Sequence, residues 1–256
     1  MQLDTFLIGF ISGDKYLGYY SVANKLLRYS ITFITIIGTV LIPRLSYLWE
    51  NDKVKYYEFL NISLKILLLI SIPCSFFFLI FANNIINFFG GPDFQPAILT
   101  LKLLSPLCVI VSIAYFVGNL ILFPQGKEKL YTIAVSISAL FSVCINWIVI
   151  QYFNQNGAAV VQAVSETLAI VLMIYFTRKE LKINIFDKSF LITLMMIFVI
   201  SILFMTLKYY LNFDSVIMFI IQTCIYCLII FGIILIKKDS TLILLINMIK
   251  NKFIKV

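Results

Sequence analysis

Histidine is absent from this chain of 256 residues. Its absence excludes mechanisms that need an imidazole base, such as Ser–His hydrolysis, and metal centres that need histidine ligands. Charged residues are scarce, at 12% of the sequence, against about 25% in an ordinary soluble domain. Apolar residues make up 62%, and the mean hydropathy is +1.02. Too few polar side chains remain to cover a water-soluble domain, so we expect lipid to be the main solvent.

Polar motifs that carry chemistry are also lacking. The five cysteines lie inside apolar runs, where a thiol behaves as a small hydrophobe. Cys224 and Cys227 form a C-x-x-C, but no second pair completes a zinc shell. No Gly-rich phosphate loop or paired-carboxylate motif occurs in the polar segments. The sequence therefore predicts no catalytic residues, no metal, no cofactor and no enzymatic activity, and the absence of a basic polar face argues against nucleic acid as a partner.

Long runs without charged residues are the dominant feature of the sequence. A membrane-crossing helix needs about 20 apolar residues. We predict an all-α polytopic bundle with seven full spans, at 17–42, 59–81, 98–122, 130–152, 158–177, 189–208 and 215–236. Residues 2–11 are apolar but reach only about 15 Å as a helix, roughly half of a bilayer core. This opening stretch is predicted to be a truncated span.

Successive loops lie on opposite sides of the membrane, and the basic residues are concentrated in the loops of one side. This asymmetry sets the predicted orientation. One side carries most of them, and the opposite side carries Lys15 and Lys208 alone. The rich side holds Arg44, Lys53, Lys55, Lys127, Lys129, Arg178, Lys179, Lys182, Lys188, Lys237, Lys238, Lys250, Lys252 and Lys255. Because Lys and Arg are retained in the cytoplasm, the C-terminus is predicted to be cytoplasmic. Its basic tail, 240–256, is suited to lie on the inner leaflet as an interfacial helix.

Two cations fall inside the first full span. Lys25 and Arg28 are three residues apart and therefore share a helix face. An ionised side chain at mid-bilayer costs at least about 2.5–3.5 kcal/mol, so such groups usually face a partner or a watery cavity. We predict a cationic cavity wall here, with Asn24 adding a neutral hydrogen-bonding group. The alternative is that both cations extend to the external headgroups.

Acidic and amide groups are embedded as well. Glu166 lies about eight residues into its span and is too short to reach the headgroups easily. It is predicted to be a protonatable or cation-pairing group in a transport cavity, and Asp4 in the opening stretch is a second candidate for ion coupling. The alternative for Glu166 is a carboxyl satisfied by helix packing alone. Asn146 suits either a hydrogen bond between helices or a contact to substrate.

Turns, kinks and aromatic residues complete the pattern. An external turn is predicted over 83–96 and a tighter one over 154–157, while Pro73 and Pro106 predict kinks within spans. Tyrosine pairs near the predicted interfaces suggest an aromatic belt. The pairs are Tyr19 and Tyr20, Tyr56 and Tyr57, and Tyr209 and Tyr210.

Several local patterns occur in a recognisable order. They are Leu3-Asp4, Gly18-Tyr19-Tyr20, Ala23-Asn24-Lys25-Leu26, Leu41-Ile42-Pro43-Arg44-Leu45, Phe89-Gly90-Gly91-Pro92-Asp93-Phe94, Gly126-Lys127-Glu128, Asn146, Asn156-Gly157-Ala158-Ala159 and Ser165-Glu166. Their order and separation resemble the second half of Wzx-type polysaccharide flippases, which export O-antigen or capsule repeat units and belong to the MOP (MATE-like) superfamily. The resemblance covers residues 3–180.

That resemblance implies a fold and a function. Such proteins have two pseudo-symmetric six-helix lobes, often followed by two further helices. The chain would comprise the second lobe at 1–180, two additional spans at 181–239 and a cytoplasmic tail at 240–256. It would move an undecaprenyl-pyrophosphate-linked oligosaccharide to the outer leaflet of the bacterial cytoplasmic membrane for cell-surface polysaccharide synthesis. With the first lobe missing, it would be inactive alone, because alternating access needs two lobes.

Other functions stay open from the residues themselves. A multidrug or metabolite exporter of the same superfamily would favour acidic cavity residues, against which Lys25 and Arg28 argue. A membrane glycan polymerase or acyltransferase would normally have a large external loop, whereas the longest one here has Asp93 as its single ionisable residue. A non-transporting membrane subunit is a third alternative. The expected partners are the lipid-linked oligosaccharide, membrane lipids, and the missing N-terminal lobe or other glycan-assembly membrane proteins.

Overall fold

The structure of the chain is a computed structural model that describes residues 3–178, 188–210 and 216–236. All regular structure in these ranges is helical, which confirms the predicted all-α bundle. The elements are α1 (Leu3–Ser12), α2 (Asp14–Thr39), α3 (Ile42–Asn51), α4 (Lys53–Phe89), a 3₁₀ turn (Pro92–Phe94), α5 (Ala97–Leu104), α6 (Leu107–Tyr115), a π-helical segment (Phe116–Leu122), α7 (Glu128–Thr177), α8 (Lys188–Tyr210) and α9 (Val216–Ile236). The predicted tail helix at 240–256 lies outside the described residues.

Within the described ranges, five helical stretches are long and apolar enough to cross a bilayer. They are Asp14–Asn51, Lys53–Phe89, Ala97–Leu122, Glu128–Thr177 and Phe190–Lys208. The stretch of 50 residues from Glu128 contains two of the predicted spans, and α9 coincides with the last one. The polytopic character of the chain is therefore confirmed, while the number of seven crossings stays a prediction.

Helix α7 folds back on itself at Asn154. This residue has φ 48° and ψ −134°, which interrupts the helical backbone. The Ser138 hydroxyl donates a hydrogen bond to the backbone carbonyl of Ser165, although 27 residues separate them. In a straight helix those residues would lie about 40 Å apart. The two halves of α7 are therefore antiparallel, and the turn predicted at 154–157 is confirmed.

Helix α3 was not predicted as a separate element. It is short and amphipathic, and it buries Leu45 and Leu48, which are three residues apart on one face. Asp52 ends it and caps α4: the Asp52 carboxylate accepts a hydrogen bond from the Lys55 backbone N–H at 3.1 Å. The helix that was predicted to start at 59 therefore begins at Lys53.

The predicted external turn at 83–96 is shorter in the structure. Helix α4 continues to Phe89 because Ile85 and Ile86 are buried on its inner face. The chain then turns through Gly91, whose φ of 79° lies in the left-handed region that favours glycine. The turn therefore occupies only the last residues of the predicted segment, up to α5.

The two prolines within spans have different effects. Helix α4 runs through Pro73 without interruption. At Pro106 the backbone stays near helical dihedral angles, but the hydrogen-bond ladder is broken between α5 and α6, and the Cys108 N–H donates to the Ser105 carbonyl at 3.2 Å. Neither proline ends its helical stretch, as predicted, and the kinks stay a prediction.

The chain divides into two compact units, Met1–Ile183 and Asn184–Val256. In the first, α1 packs against α2 and α7, and α2 also packs against α4 and α5. In the second, α8 packs against α9, where the Ser201 and Tyr226 hydroxyls are 3.0 Å apart and the Phe204 ring meets Tyr226 edge to face. The first unit contains all the embedded charges singled out above.

The aromatic-belt prediction is wrong for three tyrosines. Tyr20 and Tyr56 are fully buried inside the first unit, and Tyr19 is buried as well, rather than facing lipid at an interface. The Tyr56 hydroxyl donates to the backbone carbonyl of Leu120, at 3.4 Å, beside the π-helical segment. A buried tyrosine needs such a partner for its hydroxyl. Tyr209 and Tyr210 lie outside the residues whose side chains are described.

Candidate functional site

Asp4 connects α1 to α7. Its carboxylate is buried and accepts a hydrogen bond from the Asn146 side-chain amide at 2.7 Å and a longer one from the Ser142 hydroxyl at 3.4 Å. Ser142 and Asn146 are four residues apart and therefore share a face of the first half of α7. The Asn146 amide also donates to Ser142, at 3.2 Å. These donors satisfy an acidic side chain that would otherwise be costly to bury.

Tyr20 connects α2 to the second half of α7. Its hydroxyl donates to Gln162 Oε1 at 2.8 Å, and both side chains are buried. The contact joins residues 142 positions apart in the sequence. Ser165, on the same half of α7, donates its hydroxyl to the carbonyl of Val161 at 2.8 Å. Polar side chains of three helices thus meet inside the bundle.

Asp4, Ser142, Gln162 and Ser165 line an open cavity of about 300 Å³, which we call the polar cavity. Arg28 lines it together with both embedded carboxylates, and its positive charge acts on Asp4 and on Glu166. The lining residues are Leu3, Asp4, Arg28, Val135, Ser138, Ala139, Ser142, Gln162, Ser165, Glu166 and Ala169. One guanidinium and two carboxylates in a low-dielectric interior interact far more strongly than they would in water.

A second, larger space lies between α1 and α2. Its volume is about 630 Å³, and we call it the α1–α2 groove. It is lined by Thr5, Phe6, Gly9, Phe10, Leu17, Ser21, Asn24, Lys25 and Arg28. Aromatic and aliphatic side chains dominate one part of the wall, and the two cations with Asn24 form the other. Arg28 lines both the groove and the polar cavity.

The chain is similar to known proteins whose names refer to polysaccharide biosynthesis, O-antigen transport and glycan flipping. Residues 1–99 match the family described as "Polysaccharide biosynthesis protein". Over 174 residues, or 68% of the chain, it is 26% identical to the "Putative O-antigen transporter" of Escherichia coli (strain K12), covering 42% of that protein. Over 176 residues it is 24% identical to the "Probable low-salt glycan biosynthesis flippase Agl15" of Haloferax volcanii, covering 37% of it. The chain is therefore similar to proteins that are named as an O-antigen transporter and a glycan biosynthesis flippase.

The match confirms the resemblance predicted from the sequence motifs. The chain spans about two fifths of the length of these curated proteins, 42% of one and 37% of the other. Both carry the names of transport proteins, in keeping with the predicted lack of enzymatic chemistry.

The predicted site residues lie in two adjoining spaces in the structure. Lys25, which is exposed, and Asn24, which is buried, line the α1–α2 groove. Asp4 and Glu166 line the polar cavity instead. Arg28 is the residue that the two spaces share. Their roles in binding and ion coupling stay predictions.

Sequence reasoning missed several polar members of the site. The sequence pattern assigned Tyr20 to an interface and gave Ser138 and Ser142 no role in the cavity, whereas Gln162 was expected on the same helix face as Glu166. Helical periodicity offers one signal: Ser138, Ser142 and Asn146 recur every fourth residue in an otherwise apolar helix. No comparable signal exists for Tyr20, because its partner is distant in the sequence.

Proposed function

We propose that this chain forms part of the pathway by which a lipid-linked oligosaccharide, an undecaprenyl-pyrophosphate repeat unit, crosses the cytoplasmic membrane for cell-surface polysaccharide synthesis. The observation that carries the proposal is the placement of Lys25 and Arg28 along one groove of an otherwise apolar bundle. The names of the two relatives support it. The cargo changes sides without any bond being made or broken, so the protein acts as a transporter and not as an enzyme.

Lys25 and Arg28 lower the main energetic cost of this transport, which is the transfer of a negative charge across the membrane. A pyrophosphate is multiply negative, and carrying it through a low-dielectric interior requires compensating positive charge. Lys25 and Arg28 supply that charge, and Arg28 offers several donors in a planar fork that suits phosphate oxygens. Asn24, beside them, adds a neutral hydrogen-bonding group.

Asp4 and Glu166 are proposed to balance Arg28 and to couple transport to an ion. Without cargo, Arg28 is attracted to the two carboxylates that share its cavity. When an anionic cargo competes for Arg28, the carboxylates lose part of their compensation. Uptake of a proton or a small cation at Asp4 or Glu166 would restore the balance, which links cargo binding to the ion.

Charge reversal at the groove tests the proposal. In cells that produce this chain together with a first lobe, the double variant Lys25→Glu/Arg28→Glu is expected to abolish surface polysaccharide while the protein still inserts into the membrane, because like charges now repel the cargo. Lys15→Glu is the matched control, since Lys15 is exposed at the start of the same helix. Unchanged surface glycan in the double variant would refute the role of the two cations.

The proposed location is the cytoplasmic membrane, with the C-terminus in the cytoplasm. Single cysteines at two exposed positions test the orientation: Asp93→Cys, after α4, and Lys129→Cys, at the start of α7. They are made in a chain whose native cysteines are replaced. An impermeant maleimide should label position 93 in intact cells and position 129 only after the cells are opened. The reverse labelling would overturn the orientation.

A second candidate function is export of an organic cation. It is favoured by the acidic groups of the polar cavity, because the two carboxyl groups of Asp4 and Glu166 face the single guanidinium group of Arg28 there. The two functions are separated by binding measurements on the purified chain in nanodiscs. A cation exporter would bind tetraphenylphosphonium, and Asp4→Asn/Glu166→Gln would remove that binding. Under the first proposal, a prenyl pyrophosphate binds instead, and Lys25→Gln/Arg28→Gln removes it.

A further inference from the structure

The two spaces beside Arg28 differ in chemistry. The polar cavity presents hydroxyl, amide and carboxylate groups, such as Ser138, Gln162 and Glu166. The α1–α2 groove presents Phe6, Phe10 and Leu17 along its apolar wall. A sugar needs hydrogen-bond partners, which the first space offers, and a hydrocarbon chain does not. A polar cavity and an apolar groove on either side of Arg28 therefore match a cargo with one polar end, one apolar end and a charge between them.

The apolar wall of the groove is aromatic and continuous. The Phe6 and Phe10 rings stack, with centroids 6.4 Å apart and an angle of 10° between their planes. Phe10 in turn meets Trp147 of α7, at 6.3 Å between centroids. All three side chains are exposed on the surface of the unit. Together they form an aromatic strip that is accessible to a lipid from the bilayer.

Gly9 creates the room beneath this strip. It lies three residues after Phe6 on α1, and a side chain there would approach Leu17 Cδ2 of α2 to 3.2 Å. The missing side chain lets the two helices approach closely while the space above stays open. The resulting volume, about 630 Å³, falls within the range of roughly 300–1,000 Å³ that ligand pockets have.

We propose that the α1–α2 groove holds the prenyl chain of the lipid-linked cargo, with the pyrophosphate at Lys25 and Arg28 and the first sugars directed to the polar cavity. This inference rests on the proposed function. It adds where the prenyl chain of the cargo lies and towards which cavity the sugars point. Membrane acyl chains are as apolar as a prenyl chain, so the groove gives no preference by itself. Selectivity comes from the two cations at its end.

Photolabelling can locate the prenyl chain of the cargo directly. The probe is a prenyl pyrophosphate with a photoreactive group at the end of its hydrocarbon chain, added to the full chain in nanodiscs and mapped by mass spectrometry. Labels are expected on α1 and α2 between Thr5 and Leu17. The same photoreactive group on a fatty acid reports the background from ordinary acyl chains. Competition with unlabelled farnesyl pyrophosphate should remove the specific labels.

Three variants define the expected pattern. Phe10→Gln should lower labelling of the groove about tenfold, because a polar side chain replaces part of its wall. Phe33→Gln is the matched control: Phe33 is similarly exposed, at 66% against 72% for Phe10, but lies further along α2, beyond the residues that line the groove. Lys25→Gln/Arg28→Gln should reduce the labels to the level of the fatty acid probe.

The outcomes separate this inference from the proposed function. Labels that depend on Lys25 and Arg28 but lie outside α1 and α2 would overturn the tail position and leave the proposed function standing. Equal labelling by the fatty acid probe, insensitive to the two cations, would overturn both, because the groove would then hold ordinary acyl chains. Equal loss in Phe10→Gln and Phe33→Gln would also count against the groove.

Discussion

Asn146 donates a hydrogen bond of 2.7 Å to the buried carboxylate of Asp4, which attaches the short helix α1 to the middle of the bundle. The contact is local in space but spans 142 residues of sequence. Because α1 has only ten residues, this polar attachment is a substantial part of what fixes its position. The walls of both the groove and the polar cavity depend on it, since α1 contributes to each.

We therefore predict that Asn146→Ala destabilises the protein by about 1–2 kcal/mol, since it removes the stronger donor from a buried carboxylate. Thermal unfolding of the purified chain in detergent measures the change. Cys144→Ala is the matched control, because Cys144 is exposed on the same helix. Equal melting temperatures for the two variants would mean that the Asp4 contact contributes nothing to stability.

A second prediction concerns the contact between α2 and α7. Tyr20→Phe removes the hydroxyl that donates to Gln162 and leaves a buried acceptor unpaired, at an expected cost of about 1 kcal/mol. Tyr19→Phe provides the comparison. The Tyr19 ring packs edge to face on Phe94, at 5.5 Å between centroids, a contact that phenylalanine preserves.

Both variants are compared by thermal unfolding. Tyr20→Phe should unfold at a lower temperature than the original protein, and Tyr19→Phe at the same one. Adding Gln162→Leu to Tyr20→Phe should restore part of the lost stability, because no unpaired acceptor then remains. If Tyr19→Phe lost as much stability as Tyr20→Phe, the Gln162 contact would have no special role.

The helices of this protein could largely be predicted from the sequence, because an uncharged run of sufficient length has few alternatives to a membrane helix. The exception among the described elements is α3. It carries Arg44 and Glu50 and so does not appear as an uncharged run. Its buried Leu45 and Leu48 follow a helical period, and this amphipathic pattern was the available signal.

The candidate site was only partly predictable. Lys25, Arg28, Asp4 and Glu166 stand out in the sequence because embedding a charge is costly. Their division between two spaces does not follow from the sequence, since it depends on how α1 packs against both α2 and α7. Tyr20 illustrates the limit: a tyrosine suits either a membrane interface or a buried hydrogen bond, and tertiary packing alone decided between them.

The reversal of α7 leads to a third prediction. Asn154 has a positive φ of 48°, which costs most residues about 1–2 kcal/mol and costs glycine little. Asn154→Ala should therefore lower the free energy of unfolding by about 1 kcal/mol, whereas Asn154→Gly should leave it nearly unchanged. Thermal unfolding in detergent distinguishes them. A fully stable Asn154→Ala protein would argue against the left-handed conformation at this turn.

The fourth prediction uses two native thiols as a test of how α4 packs against α6. Cys74 of α4 and Cys108 of α6 have their sulfur atoms 3.8 Å apart, and the two helices pack against each other. A disulfide bond is about 2.05 Å long, so closure requires a shift of about 2 Å. Diamide, which crosses membranes, should oxidise the two thiols to a disulfide and be reduced to the hydrazine.

Mass spectrometry of the digested protein identifies the crosslinked peptides. We expect the Cys74–Cys108 pair to dominate and Cys74→Ser to remove it, with no crosslink transferred to Cys144. That cysteine is exposed on α7 and serves as the internal control for random collisions. Because a buried pair reacts within one molecule, its yield should not change with protein concentration. Crosslinks that reach Cys144 as readily as Cys108 would contradict the packing of α4 on α6.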